Sequence, residues 1–401
     1  MNNLKFAYPI TVSKPFLPPI EDYQELIRGI WNTRWLTNFG PMHSKLEEEL
    51  EAVLGVSNVS LFTNGHSALE TSMRCLELTG EVITTPFTFA STAHAISLNG
   101  LMPKFCDIEP QTFNIDPAKI ESLINERTSA ILAVHVFGNP CDVEAIDNIA
   151  KKYQLKVIYD AAHAFKVKLN GKGIGCYGDL SMFSFHATKV FHSIEGGALC
   201  FNNRELKKKL YLLKNFGIAN EEEVLAVAPN AKMNEFQAAM GLVNLRYIDN
   251  EISERKRIAN LYRNLISGLP GIEFIDDSPG VEHNYAYFPI RVYGGSGCVE
   301  RNELYEMLKA YNIFTRKYFY PLCSHYECYQ HLSPEKNTPV AQQVSDQILT
   351  LPIYGDLKNS EVEQICDAIK ACTCVVSSKR NSRKKGVFQD SPKIKEAVMG
   401  E

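Results

Sequence analysis

The sequence contains no apolar run that approaches the roughly 20 residues of a membrane-spanning helix. Its net charge is only −4, so no charge excess favours binding to nucleic acid or to an anionic membrane. The eleven cysteines are scattered and include no Cys-x-x-Cys pair, which argues against a zinc site, and we predict no bound metal. The first residues lack the charged head and apolar core of a secretory signal, so we expect a cytoplasmic protein with reduced thiols.

The composition is that of an ordinary soluble globular protein, with 45% hydrophobic and 22% charged residues. A length of 401 residues is typical of two domains. We predict a large domain over residues 1–250, a small C-terminal domain over 251–376 and a basic, loosely ordered tail over 377–401. Short apolar runs predict strands at 58–62, 81–85, 104–107, 130–136, 157–159, 180–185 and 198–201.

One lysine, Lys189, stands between the predicted strand 180–185 and the chain break at Gly196 and Gly197. A charged lysine is costly in apolar surroundings. Burial lowers the pKa of a lysine and makes its neutral amine available as a nucleophile. For a lone lysine the plainer interpretation is a surface residue on a loop at a strand end.

An aspartate upstream makes that plain interpretation less attractive. Asp160 ends the apolar run 157–159 and is followed by small residues and His163. A carboxylate at the end of a buried strand can hold a protonated pyridine nitrogen, and a lysine amine can bond to the aldehyde of the same ring. Those are the two contacts that pyridoxal 5′-phosphate (PLP) uses. Asp160 alone could equally be a helix N-cap, but the pair predicts a PLP site with Asp160 and Lys189 as catalytic residues.

Three segments carry a resemblance to a known family. The runs Asp-Ala-Ala-His-Ala, Ser-Phe-His-Ala-Thr-Lys and Glu-Gly-Gly begin at Asp160, Ser184 and Glu195, and they resemble the DegT/DnrJ/StrS family of sugar aminotransferases. The resemblance covers about residues 13–370. It implies the fold-type I architecture of aspartate aminotransferase, an α/β fold with a mostly parallel sheet in the large domain and a small C-terminal α/β domain.

A strand, a small-residue turn and a helix start are predicted around Gly65 and His66, a pattern typical of a backbone-amide anion site. The resemblance makes this turn the cradle of the cofactor phosphate. The family usually has threonine or serine where this chain has His66, and Ser67 is a possible substitute hydroxyl. By resemblance, Phe89 rather than Phe87 stacks on the pyridine ring, although a core phenylalanine is a fair alternative.

The resemblance implies three further cofactor contacts. His163 would hydrogen-bond the ring hydroxyl, and Ser184 would bind the phosphate. Asn230 matches a family asparagine that reaches the phosphate across a dimer interface, so a homodimer is implied. Near it, Ala228 replaces the usual glycine and Lys232 the usual arginine.

Substrate contacts are predicted in two loops. Thr37 belongs to a Trp-Leu-Thr segment that lies near the sugar nucleotide in the family. Lys317, Tyr318 and Tyr320 combine charge and aromatic rings that suit a diphosphate and a base or sugar face. The alternative for this second loop is a plain edge of the small domain.

The resemblance implies transfer of an amino group from L-glutamate to a nucleotide-linked keto-deoxysugar. The local sequence around Lys189 most resembles that of the family branch that converts dTDP-4-keto-6-deoxyglucose to dTDP-4-amino-4,6-dideoxyglucose. That branch supplies surface polysaccharide such as O-antigen. A 3-keto sugar, or a UDP- or GDP-linked one, is the alternative within the family. A PLP-dependent sugar dehydratase is less favoured because that branch carries histidine in place of Lys189, and a non-catalytic regulator on the same fold remains a further alternative.

Overall fold

The computed structural model of the protein describes residues 4–295, 298–332 and 338–386, with side chains up to Thr373. The α-helices of these residues are α1 (Ile20–Thr33), α2 (Pro41–Leu54), α3 (Gly65–Cys75), α4 (Ala90–Leu98), α5 (Pro117–Ile120), α6 (Val143–Tyr153), α7 (Glu205–Leu213), α8 (Glu235–Leu245), α9 (Ile248–Ile266), α10 (Arg301–Ala310), α11 (Pro339–Gln347) and α12 (Asn359–Gly386). The strands are β1 (Ile10–Thr11), β2 (Asn58–Phe62), β3 (Glu81–Thr84), β4 (Met102–Phe105), β5 (Thr128–Val134), β6 (Lys156–Asp160), β7 (Lys168–Leu169), β8 (Lys172–Gly173), β9 (Leu180–Ser184), β10 (Gly197–Phe201), β11 (Ile272–Phe274), β12 (Val281–Glu282), β13 (Phe288–Val292), β14 (Ile313–Phe314) and β15 (Ile348–Leu351).

A seven-stranded sheet in the order β2-β10-β9-β6-β5-β3-β4 organises the first half of the chain. Strand β10 is antiparallel to both of its neighbours, and the remaining strands share one direction. The predicted α/β fold with a mostly parallel sheet is therefore confirmed. Because β6 and β9 are parallel neighbours, with Asp160 opposite Met182, their carboxyl ends lie at one edge of the sheet. Ligands bind outside that edge in open α/β sheets.

The buried apolar side chains form two large clusters. One surrounds the seven-stranded sheet and includes Leu61 and Phe183. The other surrounds the three-stranded sheet β11-β13-β15 and includes Ile290 and Ile365. Ile10 belongs to this second cluster, because β1 pairs with β14. The first residues of the chain thus pack with its later part, and the division at residue 250 stays a prediction.

All seven predicted strands are present, and none of their ends is shifted by more than two residues. The N-cap of helix α8 is Asn234, four residues after Asn230, and it forms a capping box with Gln237. Helix α12 continues to Gly386, ten residues into the segment predicted as a loose tail. The rest of that segment, 387–401, lies outside the described residues.

Candidate active site

A cavity of about 520 Å³ opens at the carboxyl edge of the seven-stranded sheet. Eight of the predicted site residues line it: Gly65, His66, Phe89, Asp160, His163, Ser184, Lys189 and Tyr318. Residues far apart in the sequence meet here because β2, β6 and β9 end at the same edge. A larger cavity, of about 1070 Å³, lies elsewhere beside Asp142 and Asp179, and neither Lys189 nor Asp160 lines it. The size of a cavity alone therefore does not identify the candidate active site.

Asp160 ends β6 and is buried, and both of its carboxylate oxygens accept hydrogen bonds. The Thr92 hydroxyl donates to Oδ2 at 2.8 Å, and the Ala162 N–H donates to Oδ1 at 3.1 Å. Burial raises the pKa of Asp160, and these two hydrogen bonds and the charge of Lys189 act in the opposite direction. A cation in the cavity would stabilise the ionised carboxylate further. The described helices include none that starts at Asp160, so the alternative of a helix N-cap is wrong.

Lys189 lies in a tight turn after β9, where its N–H donates to the His186 carbonyl oxygen at 2.9 Å. Its side chain is half-buried rather than enclosed. The amine is 3.5 Å from the Tyr287 hydroxyl. Lys189 and Asp160 line the same cavity. The alternative interpretation of Lys189 as a residue of an unrelated surface loop is therefore wrong.

His163 is buried, and its ring is fixed in one tautomer. Nδ1 accepts a hydrogen bond from the Phe137 N–H at 3.1 Å, so the proton of the neutral ring sits on Nε2. Burial, and next the charge of Lys189, holds the pKa of His163 well below its usual range. The ring is nearly parallel to those of Phe137 and Phe319, at 9° and 6°. His163 therefore offers a neutral N–H donor to the cavity, as an acceptor such as a ring hydroxyl oxygen requires.

The turn after β2 has the geometry of an anion cradle. Asn64 caps α3 by accepting from the Ser67 N–H at 2.8 Å, which leaves Gly65 and His66 at the start of the helix. A Cβ at Gly65 would lie 3.0 Å from the Ser184 Cβ, so any larger residue would crowd this turn. His66 Nδ1 is 2.8 Å from the Ser91 hydroxyl, and both residues line the cavity.

The two hydroxyls near this cradle have different positions. Ser67 does not line the cavity, so the described structure gives no support to it as a substitute hydroxyl. Ser91 lies in the first turn of α4 and does line the cavity. A serine at a helix start beside a predicted cradle is a signal that sequence reasoning could have used.

Phe89 and Phe87 take opposite roles in the fold. Phe89 is 61% exposed, although it is large and aromatic, and it lines the cavity just before α4. Phe87 is fully buried and packs edge-on against Phe113 and Phe137. An exposed ring face in the cavity is available for stacking on a pyridine ring.

Four predicted residues lie outside this cavity: Thr37, Asn230, Lys317 and Tyr320. Thr37 and Asn230 are exposed, and Asn230 Oδ1 accepts a hydrogen bond from Lys232 at 2.7 Å. The described chain does not bring them to the cavity by itself.

Lys317 and Tyr320 belong to a cluster of cationic side chains that lie against aromatic rings. Lys317 donates to Asn302 Oδ1 at 2.6 Å and lies 4.4 Å from the Tyr305 ring centroid. The guanidinium of Arg301 lies 4.7 Å from the ring of Tyr320. These contacts hold the two side chains beside α10, and their substrate role stays a prediction.

Sequence reasoning missed several residues that line or support the cavity, namely Thr92, Tyr287 and Phe319. Thr92 and Tyr287 act through contacts that span 68 and 98 positions of the chain. The spacing of residues within one segment of the sequence does not predict contacts between segments that are so far apart in the chain.

Within the described residues, no group of three or more His, Cys, Asp or Glu side chains could hold a metal ion. In the same part of the chain no helix is both long and apolar enough to cross a bilayer.

The fold and the cavity define the class of protein. The cavity contains an acid for a ring nitrogen, a lysine amine, an exposed aromatic face and a phosphate cradle, and a Cβ at Gly65 would crowd this cradle. These features fit PLP in a fold-type I enzyme. The sequence model of the DegT/DnrJ/EryC1/StrS aminotransferase family matches residues 20–370 of this chain. The chain belongs to this family of PLP-dependent aminotransferases, which share the aspartate aminotransferase architecture.

Individual relatives agree with this assignment. The dTDP-4-amino-4,6-dideoxy-D-glucose transaminase of Escherichia coli is 46% identical over 361 residues, which cover 89% of this chain and 96% of the relative. The protein of the same name from Shigella dysenteriae is 44% identical, with 90% and 98% covered. Among solved structures, DesI with its TDP-sugar product has a TM-score of 0.90 at 31% identity, covering 94% and 96%. The PLP form of Spr1654 from Streptococcus pneumoniae has a TM-score of 0.86 at 26% identity, covering 92% and 100%.

Proposed function

We propose that the protein transfers the amino group of L-glutamate to C4 of dTDP-4-keto-6-deoxy-D-glucose. The products are 2-oxoglutarate and dTDP-4-amino-4,6-dideoxy-D-glucose. The observation that carries this proposal is the 46% and 44% identity, over nine-tenths of the chain, to two relatives named for that amino sugar. The cavity that joins Lys189 and Asp160 supports the transamination chemistry.

Two side chains would do the chemical work. When bound, PLP supplies a ring that accepts electrons from the reacting carbon. Lys189 carries a proton to and from the substrate carbon that bears the transferred nitrogen. Asp160, steadied by Thr92, keeps a proton on the ring nitrogen.

The remaining cavity residues would bind and orient the cofactor. The N–H groups at Gly65 and His66, with the hydroxyl of Ser184, hold its phosphate. Phe89 covers one ring face, and the Nε2–H of His163 donates to the ring hydroxyl. Tyr318 also lines the cavity and would contact the sugar.

We also propose that the active unit is a homodimer in which Asn230 and Thr37 complete the partner's site. Both are exposed and lie outside their own cavity. The loop before Asn230 presents Val224, Leu225 and Val227 to solvent, and Val227 is 96% exposed. Three exposed aliphatic side chains in one loop favour burial against another chain.

The relatives also bear on the alternatives. GDP-perosamine synthase of Vibrio cholerae and the dTDP-3-amino-3,6-dideoxy-alpha-D-galactopyranose transaminase of Aneurinibacillus thermoaerophilus are 31% and 32% identical to this chain. Those values are well below the 44–46% of the two transaminases that share the proposed product. The identities thus favour a dTDP-linked 4-keto sugar over a 3-keto or GDP-linked one, and Lys189 itself disfavours a dehydratase.

We place the reaction in the cytoplasm, as a supply of amino sugar for surface polysaccharide such as O-antigen. None of the ten cysteines among the described residues forms a disulfide. Reduced thiols are typical of a reducing compartment.

Kinetics with purified protein, L-glutamate and a panel of 4-keto and 3-keto sugars linked to dTDP, UDP or GDP test the proposal. Mass spectrometry identifies the products. We expect the highest kcat/KM for dTDP-4-keto-6-deoxy-D-glucose. A higher kcat/KM for a 3-keto or a UDP-linked sugar would overturn the substrate and leave the aminotransferase assignment intact.

A further inference from the structure

One acidic side chain of the cavity is not used by the proposed chemistry. The carboxylates that line the cavity are those of Asp160 and Glu195. Asp160 is committed to the ring nitrogen, and it is buried. Glu195 is half-exposed, and its Oε1 lies 3.5 Å from Nε2 of His186. The pair therefore faces the open part of the cavity.

His186 is tied to the catalytic lysine through the backbone. The Lys189 N–H donates to the His186 carbonyl oxygen at 2.9 Å, so the two residues close a single turn. Both side chains line the cavity. A group held by His186 therefore lies in the same cavity as the Lys189 side chain.

The tautomer of His186 directs a hydrogen toward Glu195. Nδ1 accepts from the Thr188 N–H at 3.2 Å and lies 2.7 Å from the Thr188 hydroxyl. The ring hydrogen of the neutral form is therefore on Nε2, where it can donate to the Glu195 carboxylate. One carboxylate oxygen lies 3.5 Å from this nitrogen, and the other remains available as an acceptor.

The backbone of Glu195 is fixed as well. Its carbonyl oxygen accepts from Gln237 Nε2 at 2.7 Å and from the Ser193 hydroxyl at 2.9 Å. Gly197 packs so tightly on the phosphate turn that a Cβ there would lie 2.6 Å from the Gly65 nitrogen. The backbone at Glu195 is thus fixed by two hydrogen bonds and by the close packing of Gly197 on the turn at Gly65.

A carboxylate is a poor neighbour for the anionic groups of glutamate or of a nucleotide diphosphate, but it is a strong acceptor for a sugar hydroxyl. We propose that Glu195, oriented by His186, accepts a hydrogen bond from the hydroxyl on the carbon next to the keto carbon. In the sugar of the proposed function, on which this inference rests, that hydroxyl is on C3. Glu195 is then a specificity-determining residue for the sugar, and His186 is a positioning residue.

Separate single-turnover measurements of the two half-reactions test this role. Glu195→Gln is expected to lower kcat/KM of the sugar half-reaction at least about tenfold, as the loss of a hydrogen bond to a charged group does. The glutamate half-reaction, followed by the visible absorbance of the bound cofactor, should change less than about twofold, since that step uses no sugar hydroxyl. Equal slowing of both half-reactions would overturn the proposal, because it would indicate a role for Glu195 toward glutamate or the cofactor.

A sugar that lacks the hydroxyl makes the test independent of folding defects. With dTDP-4-keto-3,6-dideoxy-D-glucose, the unmodified protein should lose at least about tenfold in kcat/KM, whereas Glu195→Gln should treat the two sugars nearly alike. His186→Gln should show the same pattern with a smaller loss. An undiminished preference of Glu195→Gln for the 3-hydroxyl would sink the inference.

The matched control is Glu77→Gln, which removes an exposed carboxylate paired with Lys209 far from the cavity chemistry, and it should leave both half-reactions unchanged. Failure of the proposed function is visible separately, because the unmodified protein would then not turn over either dTDP-4-keto sugar.

Discussion

The amine of Lys189 lies 3.5 Å from the hydroxyl of Tyr287 and 5.9 Å from the centre of its ring. Tyr287 is 9% exposed and is held by packing, edge-on against His163 at 4.7 Å and against Tyr318 at 5.7 Å between ring centres. Its hydroxyl therefore has a fixed position beside an amine on a flexible stem. We expect it to orient the Lys189 amine whenever that amine is free to carry a proton.

Tyr287→Phe keeps the ring and removes the hydroxyl. We expect kcat of both half-reactions to fall about tenfold, in line with the loss of one hydrogen bond to a charged group. Cofactor binding, measured by visible absorbance during dialysis, should be unchanged because the packing is preserved.

Tyr285→Phe is the matched control for this change. Tyr285 lies two residues earlier on the same segment, and its hydroxyl donates to Asp277 at 2.7 Å, outside the cavity lining. The Tyr285→Phe variant should retain the full kcat of the native protein. If Tyr287→Phe also kept full kcat, the hydroxyl would have no role in orienting the lysine.

Lys189→Ala should abolish transamination while the protein still folds, because the side chain is only half-buried and lines the cavity. Borohydride reduction of the unmodified protein, followed by peptide mapping, should place the pyridoxyl group on Lys189. A pyridoxyl group on another lysine would contradict the assignment.

Asp160→Asn should leave PLP bound but lower kcat at least about a hundredfold. The amide preserves the shape that Thr92 and Ala162 contact, but it carries no charge to hold a proton on the ring nitrogen. Steady-state kinetics beside a cofactor titration separate the two effects. Near-normal turnover would remove Asp160 from the mechanism.

Much of this site was predictable because the signals are local. Asp160 and Ser184 end buried strands, and Lys189 follows in the next turn, so parallel pairing of β6 and β9 brings them to one edge. Tyr287 and Thr92 gave no such signal, since their contacts depend on how distant segments pack. The Lys317 amine likewise donates to Asn302 Oδ1, a contact across 15 positions that the sequence pattern did not indicate.

Mixed dimers test the proposed role of Asn230. If Asn230 serves the partner's cavity, inactive Lys189→Ala chains mixed with Asn230→Ala chains should regain activity, because one of the two sites in each hybrid contains both native residues. Recovery of up to about half of the native activity per hybrid is expected from two sites per dimer. Subunit exchange is verified with differently tagged chains, and no recovery after exchange would indicate a site built within one chain.

Acid stability is expected to depend on His135, a buried histidine that directly follows strand β5. His135 is fully buried, and its Nδ1 accepts from the Cys141 N–H at 3.0 Å. Its ring is stacked on Tyr159 at 4.7 Å. Burial lowers the pKa of His135 from 6.5 to about 3. The folded protein therefore keeps this ring neutral where an unfolded chain would protonate it.

The sign of the effect follows from proton counting. Between pH 6.5 and about 3 the unfolded chain binds one more proton at His135 than the folded protein does, so stability present above pH 6.5 is lost as the pH falls. The slope is about 1.4 kcal/mol per pH unit. His135→Asn keeps an acceptor for the Cys141 N–H but cannot ionise, so its free energy of unfolding should fall by about that much less per pH unit, whatever its stability at neutral pH. Urea unfolding of the holoenzyme at several pH values between 7 and 4 measures this slope, with the exposed His331→Asn as the control that should match the native protein. Equal slopes for His135→Asn and the native protein would show that His135 does not contribute to acid unfolding.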